Sequence, residues 1–326
     1  MKTALITGIN GQDGLHLTEL LLKKGYKVFG LVNGQRESHG EKLKAIFPQV
    51  NQIRGDLTDS TSINKALDTA QPDEIYNLGA ISFVGVSFQQ PEMTADITGL
   101  GVLRLLEAVR SNGLEKVCRI YQASSSEMYG KVREVPQNEE TPFHPRSPYG
   151  VAKTFAHYTC VNYREAYDMF IACGILFNHE GERRGFEFVT RKISSTVAKI
   201  KYGSANELRL GTLEPKRDWG YAGDYVEAMH MMLQHDYADD FVIATGQTHS
   251  VGEFAELAFQ IAGIENGLEK YVKIDDNLKR PSEVDLLIGD SSKASKVLGW
   301  KPKVSFEDLV RLMVEHDLNL EKNSIA

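Results

Sequence analysis

A tyrosine and a lysine four residues apart, Tyr149 and Lys153, have the spacing at which two side chains share one face of a helix. A lysine ammonium beside a phenol favours the phenolate and lowers the tyrosine pKa from about 10 toward neutrality. A phenolate at neutral pH is a general base for a sugar or alcohol hydroxyl. We therefore expect both residues to be catalytic, with Lys153 holding the phenol or a ribose hydroxyl next to it.

Three glycines near the start of the chain, Gly8, Gly11 and Gly14, have G-x-x-G-x-x-G spacing between a predicted strand and a predicted helix. In such a turn the first glycine permits the tight bend, the second lets backbone approach a pyrophosphate, and the third allows helix and strand to pack closely. The helix N-terminus adds N–H groups and a positive dipole for the phosphates. The motif predicts a dinucleotide site that includes Gln12 and Asp13.

The residues after the second predicted strand indicate which nicotinamide cofactor is bound. An NAD site usually has an acid here for the ribose 2′-hydroxyl, but this strand ends in Asn33-Gly-Gln-Arg36, and the first acid is Glu37. Because Arg36 can bind a 2′-phosphate through two hydrogen bonds, NADP is favoured over NAD. Further cofactor contacts are expected where the third and fourth strands end, at Asp56, Leu57, Leu78, Gly79 and Ala80.

Composition and charge narrow the possible partners. The chain of 326 residues has 42% hydrophobic and 25% charged residues, which is ordinary for a globular protein. Its net charge of -7 provides no basic surface for nucleic acid. Cys118, Cys160 and Cys173 lack the spacing of a metal site, so we expect buried free thiols and no metal. Neither a targeting peptide nor a long apolar stretch is visible, so we expect a cytoplasmic protein without a membrane partner.

Short apolar runs alternate with longer amphipathic runs in the first half of the chain, a pattern typical of βαβ units. Because parallel crossovers are right-handed, this order predicts an α/β fold with a doubly wound parallel (Rossmann) sheet. We expect the Rossmann domain to comprise residues 1–177, with 216–246 returning to it. A smaller mixed α/β C-terminal lobe for the substrate is predicted from 178–215 and 247–326.

The pattern also predicts the main elements. Strands are expected at residues 4–7, 27–32, 51–54, 74–78, 117–123, 170–177 and 241–244, with an extended segment around 283–288. Helices are expected at residues 14–24, 60–70, 101–111, 149–167 and 221–234.

Hydroxyl and carboxyl groups follow the fifth predicted strand, in Ser124-Ser-Ser-Glu-Met-Tyr129. Ligands of open parallel sheets bind beyond the carboxyl ends of the strands, so these groups should face the nicotinamide. Ser125 can hydrogen-bond the substrate oxygen that is oxidised. Glu127 adds a carboxylate that simple alcohol oxidation does not require. Beside a 4-keto sugar, such a group can remove the acidified C5 proton and help the C6 hydroxyl to leave.

With these residues in view, the chain resembles the extended short-chain dehydrogenase/reductases and, more narrowly, the GDP-mannose 4,6-dehydratases. The resemblance covers nearly the whole length and depends on several stretches taken together. These are Ile6-Thr-Gly-Ile-Asn-Gly-Gln-Asp-Gly14, Ser124-Ser-Ser-Glu-Met-Tyr129, Pro145-Arg-Ser-Pro-Tyr-Gly150, Gly174-Ile-Leu-Phe-Asn-His-Glu180, Phe188-Val-Thr-Arg-Lys192, Lys216-Arg-Asp-Trp219 and Arg280-Pro-Ser-Glu-Val-Asp285.

The resemblance implies that GDP-mannose is converted to GDP-4-keto-6-deoxymannose by internal hydride transfer through tightly bound NADP, with loss of water. Tyr149 would take the O4 proton, while Lys153 would tune the phenol and hold the nicotinamide ribose. Ser125 would donate to O4. Glu127 would remove the C5 proton and assist the departure of water from C6. A homodimer or homotetramer is expected.

Positions that match the family's nucleotide-sugar site supply the expected substrate contacts. Asn178 would contact the diphosphate region, Arg217 and Arg280 would neutralise the pyrophosphate, and Glu283 would hold a ribose hydroxyl. The guanine pocket would be lined by Val189, Thr190 and Lys192, and Ser87 is also expected at the substrate. Asp218 is expected to pin a loop, and Trp219 to pack.

Departures from the family pattern leave alternatives open. Ile81 and the pair Gly181-Glu182 differ from the family at positions that border the sugar pocket, which allows a related GDP-hexose or a GDP-heptose as substrate. A GDP-4-keto-6-deoxy-sugar reductase or a 4-epimerase would share the fold, Tyr149 and Lys153, but neither needs the Glu127 carboxylate. A non-catalytic dinucleotide sensor would be expected to lack Tyr149 or Lys153.

Overall fold

The computed structural model describes residues 1–33, 37–278, 284 and 286–325. Its strands are β1 (Thr3–Thr7), β2 (Lys27–Val32), β3 (Asn51–Arg54), β4 (Glu74–Asn77), β5 (Arg119–Ser125), β6 (Ile171–Leu176), β7 (Asn178–Glu180), β8 (Leu208–Leu210), β9 (Lys216–Arg217), β10 (Trp219–Tyr221), β11 (Asp240–Ile243), β12 (His249–Ser250), β13 (Val272–Ile274) and β14 (Leu286–Leu287).

The helices alternate with these strands along the chain. They are α1 (Gln12–Lys23), α2 (Glu37–Ile46), α3 (Ser60–Ala70), α4 (Val84–Gln89), α5 (Pro91–Thr94), α6 (Gly101–Ser111), α7 (Pro148–Tyr167), α8 (Val189–Tyr202), α9 (Ala222–Gln234), α10 (Val251–Ile261), α11 (Gly267–Tyr271), α12 (Ser292–Leu298) and α13 (Phe306–Ile325). A π-helical segment, Ala95–Leu100, joins α5 to α6, and 3₁₀ turns lie at Ser126–Met128 and Asp276–Leu278. Among the described helices, none has both the length and the apolar character needed to cross a bilayer.

Seven strands form one sheet in the order β11-β6-β5-β4-β1-β2-β3, and every pair in it is parallel. Connections run in one direction from β1 to β3 and in the other from β4 to β11. The strand order therefore reverses between β1 and β4, where open α/β sheets bind their ligands. This topology confirms the predicted doubly wound Rossmann fold.

The remaining strands form small sheets outside the large one, β7 with β10, β8 with β13, and β9 between β12 and β14. Helices α8, α10 and α13 enclose a separate apolar cluster that contains Ile193, Phe254 and Val310. Trp219 is buried in the same cluster against the rings of Phe254 and Phe306, so its predicted packing role is confirmed.

The buried Asp218 carboxylate connects three segments of the chain. It accepts hydrogen bonds from the backbone nitrogens of Thr245, Gly246 and Gly289 at 2.8, 2.9 and 3.3 Å. The prediction that Asp218 pins a loop is confirmed. The three cysteines are free and buried, as expected.

Two helices differ from the predicted elements. Helix α1 begins at Gln12, two residues early, so Gly14 lies within its first turn. Helix α8 was not predicted, because two polar residues lie on its buried face. Arg191 and Ser194 both contact the buried carboxylate of Asp317 on α13, at 2.7 and 2.5 Å. These partners are far apart in sequence, so local periodicity does not reveal them.

Candidate active site

The glycine turn between β1 and α1 is packed too closely against neighbouring backbone for side chains at Gly8 or Gly14. Gly8 has a φ of +68°, and a Cβ there would lie 2.8 Å from the nitrogen of Gly79. At Gly14 a Cβ would lie 2.5 Å from the carbonyl oxygen of Gly8 and from Ile9. The Gly11 nitrogen donates to the Gly8 oxygen at 3.0 Å, and α1 begins at the next residue. This tight turn at a helix N-terminus fits the pyrophosphate of a dinucleotide.

Replacing Gly14 with alanine is expected to separate α1 from β1, because the neighbouring backbone atoms cannot move independently. We expect a loss of about 1–3 kcal/mol in the free energy of unfolding, which is typical of an overpacked core, together with weaker binding of a nicotinamide dinucleotide. Urea denaturation and NADPH fluorescence titration measure the two effects. Gly252→Ala is the matched control, since a Cβ on that helical glycine would make only ordinary contacts of 3.4 Å or more. Equal behaviour of the two variants would contradict this account of the turn.

A half-buried ion pair lies immediately beside the glycine turn. The Oδ2 atom of Asp13 and the Nε2 atom of His179 are 2.9 Å apart, and the His179 ring stacks on Tyr225. Burial alone would raise the pKa of Asp13, but the charge and hydrogen bond of His179 hold it well below its ordinary value. Burial opposes the charged imidazole, yet Asp13 raises the pKa of His179. The pair joins the start of α1 to β7.

This pair predicts a defined pH dependence of stability. The Asp13 contribution is present above its ordinary pKa of about 3.9 and is lost as the pH falls through its lowered pKa in the folded state. The His179 contribution is fully present below about 6.5 and is lost as the pH rises through its raised pKa. The pair therefore stabilises the fold most between about pH 4 and 6.5.

Substitution of His179 by glutamine tests this expectation. The difference in free energy of unfolding between wild type and His179→Gln should be largest near pH 6 and should shrink toward pH 9. Urea denaturation across this range measures it. The exposed His144 serves as control, and His144→Gln should show no such trend. A pH-independent difference for His179→Gln would contradict the assigned pair.

The predicted catalytic residues meet where β5 ends and α7 begins. Ser125 is the last residue of β5, and Glu127 follows in the 3₁₀ turn, with its backbone nitrogen 3.3 Å from the Ser125 hydroxyl. A Cβ on Gly150 would lie 2.7 Å from the carbonyl oxygen of Glu127, so the first turn of α7 lies directly against the 3₁₀ turn. This contact holds Tyr149 beside Glu127, and the Ser125 side chain acts to lower the pKa of the Tyr149 phenol.

The expected lowering of the Tyr149 pKa is wrong for the folded protein. Burial raises the pKa of the Tyr149 phenol to about 12, although the Ser125 side chain acts in the opposite direction. The Nζ atom of Lys153 lies 5.7 Å from the centroid of the Tyr149 ring and donates to the carbonyl oxygen of Ala123 at 2.6 Å. Burial lowers the pKa of Lys153 to about 8. The sequence-based expectation considered the nearby charge and omitted desolvation, which is the larger effect here.

The other expected cofactor residues surround the same end of the sheet. The Asp56 carboxylate accepts from Asn33 at 2.6 Å and from the Thr58 nitrogen at 2.8 Å, so its position is fixed. Leu57 is buried, and a Cβ on Gly79 would lie 2.7 Å from its side chain. Leu78 and Ala80 are half-buried beside Gly79. Arg36 lies outside the described residues.

The expected substrate residues occupy several elements. Ser87 on α4 is buried and donates to the carbonyl oxygen of Val84, and Thr190 is buried and donates to Glu180 at 2.5 Å. Val189 is exposed, and Lys192 is half-buried, with a pKa that burial lowers. Asn178 is half-buried at the start of β7, and Arg217 is buried at the end of β9. Arg280 and Glu283 lie outside the described residues.

Sequence reasoning missed a second cation at this site. Arg184 lies 3.5 Å above the ring of Phe188, measured to the centroid, and its Nε atom is 2.9 Å from Glu180. Its charge lowers the pKa of Tyr149, against the effect of burial. The available signal was the polar run after β6, which contains both His179 and Arg184. In the sequence analysis that run marks the start of the C-terminal lobe and enters the family resemblance, but it gives neither His179 nor Arg184 a role at the site.

The chain matches known proteins over nearly its full length. The family model described as GDP-mannose 4,6 dehydratase matches residues 5–313. The GDP-mannose 4,6 dehydratase of Dictyostelium discoideum is 51% identical, over 99% of this chain and 97% of that protein. The human GDP-mannose 4,6 dehydratase is 50% identical, over 99% of this chain and 93% of the human protein.

Solved structures agree with the fold. RMD from Pseudomonas aeruginosa complexed with NADPH is 26% identical with a TM-score of 0.81, over 98% of this chain and 99% of that one. UDP-glucose 4-epimerase from Thermus thermophilus in complex with NAD is 28% identical with a TM-score of 0.83, over 96% of this chain and 98% of the epimerase chain. Together with the family model and the relatives that are half identical, the geometry of the site leads to one conclusion: the chain belongs to the GDP-mannose 4,6-dehydratase family.

Proposed function

We propose that the protein converts GDP-mannose into GDP-4-keto-6-deoxymannose, with NADP as a tightly bound cofactor. The observation that supports this most directly is the cluster of a half-buried Ser125 with a buried Glu127 and Tyr149, which lies at the carboxyl end of the sheet, as the glycine turn does. Tyr149 and a hydroxyl are sufficient for oxidation of an alcohol. The Glu127 carboxylate adds the acid–base group that elimination of water requires.

The residues of the cluster divide the reaction between them. Ser125 donates to O4 and orients it, and Tyr149 takes the O4 proton. A nicotinamide held by the glycine turn and Lys153 would supply the hydride acceptor for C4 and the hydride donor for C6. Glu127 removes the C5 proton, which the 4-keto group acidifies, and passes it to the departing C6 hydroxyl, which leaves as water. The proton that Tyr149 took from O4 then goes to C5 as C6 is reduced, which restores both residues. Because the Tyr149 pKa is about 12, the phenolate requires positive charge nearby, from Lys153, Arg184 and the oxidised nicotinamide.

NADP is proposed rather than NAD on the sequence after β2, where Arg36 stands in place of an acid. Gly8, Gly11 and Gly14 would hold the pyrophosphate at the start of α1. For the GDP-sugar we propose Arg217 and Arg280 as the cations that offset the diphosphate, with Lys192 in the guanine pocket. Such local charges would allow a chain with a net charge of -7 to bind an anionic substrate.

We also propose a homodimer formed through one face of α7. Val151, Phe155 and Tyr158 are 57%, 45% and 55% exposed and lie at helical spacing on that face. Met93 and Leu100, from the adjoining segment before α6, are also exposed. A continuous apolar surface of this kind favours contact with a second copy. Sedimentation of Phe155→Lys should show a monomer where wild type forms a dimer.

The decisive experiment incubates the purified protein with a panel of GDP-sugars and no added NADPH, followed by mass spectrometry of the products. A GDP-mannose product lighter by one water is expected without net change in cofactor. A product only from another GDP-hexose or a GDP-heptose would redirect the substrate assignment. A separate incubation with NADPH and a GDP-4-keto-6-deoxy-sugar tests the alternative, and consumption of one NADPH per sugar there, with no loss of water from any GDP-sugar in the panel, would identify a reductase instead.

A further inference from the structure

A continuous set of hydrogen bonds crosses the carboxyl ends of three neighbouring strands, β1, β4 and β5. We call it the amide relay. Its bonds are Gly79 N to Thr7 Oγ1 at 2.9 Å, Thr7 Oγ1 to Asn77 Oδ1 at 2.6 Å, Asn77 Nδ2 to Gln122 Oε1 at 2.7 Å, Gln122 Nε2 to Ala123 O at 3.2 Å and Lys153 Nζ to Ala123 O at 2.6 Å.

The strand register explains why these side chains meet. Thr7 is paired with Asn77 between β1 and β4, and Asn77 is paired with Gln122 between β4 and β5. Cross-strand partners in register lie on the same face of a sheet, within hydrogen-bonding reach. All three side chains are at most 2% exposed, so the relay has little access to bulk water.

The direction of every bond in the relay is determined from the Ala123 carbonyl, which can only accept. The Gln122 nitrogen therefore faces this carbonyl, and the Gln122 oxygen faces Asn77. For the same reason the Asn77 nitrogen faces Gln122, and its oxygen faces Thr7. The Thr7 hydroxyl therefore gives its single proton to Asn77 and accepts from the Gly79 nitrogen. Bonds aligned in this way polarise one another.

The two ends of the relay lie at the two parts of the candidate active site. At one end Gly79 lies so close to the glycine turn that a Cβ on Gly8 would be 2.8 Å from its nitrogen. At the other end the Ala123 carbonyl lies one residue beyond the last β4–β5 pair and accepts from Lys153. The relay therefore sets the separation between the dinucleotide turn and the Lys153 ammonium.

We propose that Thr7, Asn77 and Gln122 are positioning residues that hold Lys153 and the glycine turn in the relative geometry required to bind the nicotinamide nucleotide. This inference rests on the proposed function, because it assigns the relay to the same cofactor and the same reaction. None of the three side chains is required to touch the sugar. Their loss should therefore affect NADPH affinity and kcat, with little change in the KM for GDP-mannose.

The test compares two identical substitutions, Gln122→Met and Gln137→Met. Gln137 is also fully buried and makes two hydrogen bonds, to the Glu134 oxygen and from the Ile288 nitrogen, at 2.8 and 3.1 Å. Gln122→Met should weaken NADPH binding and lower kcat, each by about tenfold or more, as expected for a small misplacement, with KM for GDP-mannose within about twofold. Gln137→Met should lose comparable thermal stability but retain wild-type NADPH affinity and kcat.

A second pair of variants keeps the test decisive if Gln122→Met does not fold. Thr7→Val removes the hydroxyl and breaks the relay, whereas Thr7→Ser retains it and should restore NADPH affinity. Wild-type NADPH affinity in Gln122→Met or Thr7→Val would overturn the proposal, as would equal effects of Gln122→Met and Gln137→Met on kcat and affinity. NADPH titration requires no sugar substrate. If wild type dehydrates no GDP-sugar, the proposed function fails, but the titration still decides whether the relay positions the cofactor.

Discussion

Replacing Glu127 with glutamine is expected to lower the rate of dehydration by about 10²–10⁴-fold, the usual contribution of a positioned general acid–base group. The side chain is only 8% exposed, and glutamine has nearly the same shape, so the 3₁₀ turn should be preserved. An amide cannot accept the C5 proton. Oxidation at C4 does not need Glu127, so added GDP-mannose should still produce the near-ultraviolet absorbance of reduced nicotinamide.

Mass spectrometry and cofactor absorbance together measure this result. Glu139→Gln is the control, because Glu139 is a half-buried glutamate whose carboxylate accepts from the Val242 nitrogen at 2.7 Å, away from the cluster. It should dehydrate GDP-mannose at the wild-type rate. Normal turnover by Glu127→Gln would remove this carboxylate from the mechanism.

Tyr149→Phe is the second substitution with a large expected effect, again about 10²–10⁴-fold in kcat. The ring remains buried and keeps the first turn of α7 in place, but the group that takes the O4 proton is lost. In contrast to Glu127→Gln, this variant should produce no reduced nicotinamide on addition of GDP-mannose. The two variants therefore separate the oxidation step from the elimination step.

Absorbance and product analysis again provide the measurement, and Tyr167→Phe, near the end of the same helix, is the control. NADPH affinity of Tyr149→Phe should stay within about threefold of wild type, since Lys153 and the glycine turn are unchanged. A Tyr149→Phe variant that still reduces its cofactor with GDP-mannose would show that another group takes the O4 proton.

Much of the fold could be predicted because parallel strands buried on both faces are nearly continuous apolar runs. All seven strands of the large sheet were predicted, two of them with the observed bounds and the others with bounds that differ by one or two residues. The start of β5 is an example. Val117 was included for its apolar side chain, but it is 68% exposed, and the strand begins at Arg119.

The candidate site was predictable in its parts, because each motif is local in sequence. Ser125 and Glu127 occur within one short stretch, and Tyr149 and Lys153 lie on one helix turn. What the sequence could not provide is the environment of those groups. The sign of the Tyr149 pKa shift depends on burial, and burial depends on how α7 packs on β5.

The amide relay was equally inaccessible from sequence. Thr7, Asn77 and Gln122 are read separately as polar residues at strand ends, and only the register brings them together. His179 was missed for a related reason, since its partner Asp13 lies on another element. The roles of Arg36, Arg280 and Glu283 stay predictions.

The position of β11 has a consequence for work with fragments of this chain. Strand β11 pairs with β6, and every residue of β6 is buried in the folded protein. A fragment that stops near residue 177 retains the glycine turn, Glu127 and Tyr149, but it lacks β11. Its outermost strand would then present an apolar edge with free backbone groups, which promotes aggregation. Fragments of this kind are therefore poor substitutes for the whole chain in ligand-binding studies. During synthesis on the ribosome, the same edge of β6 stays unprotected until the chain extends beyond residue 243.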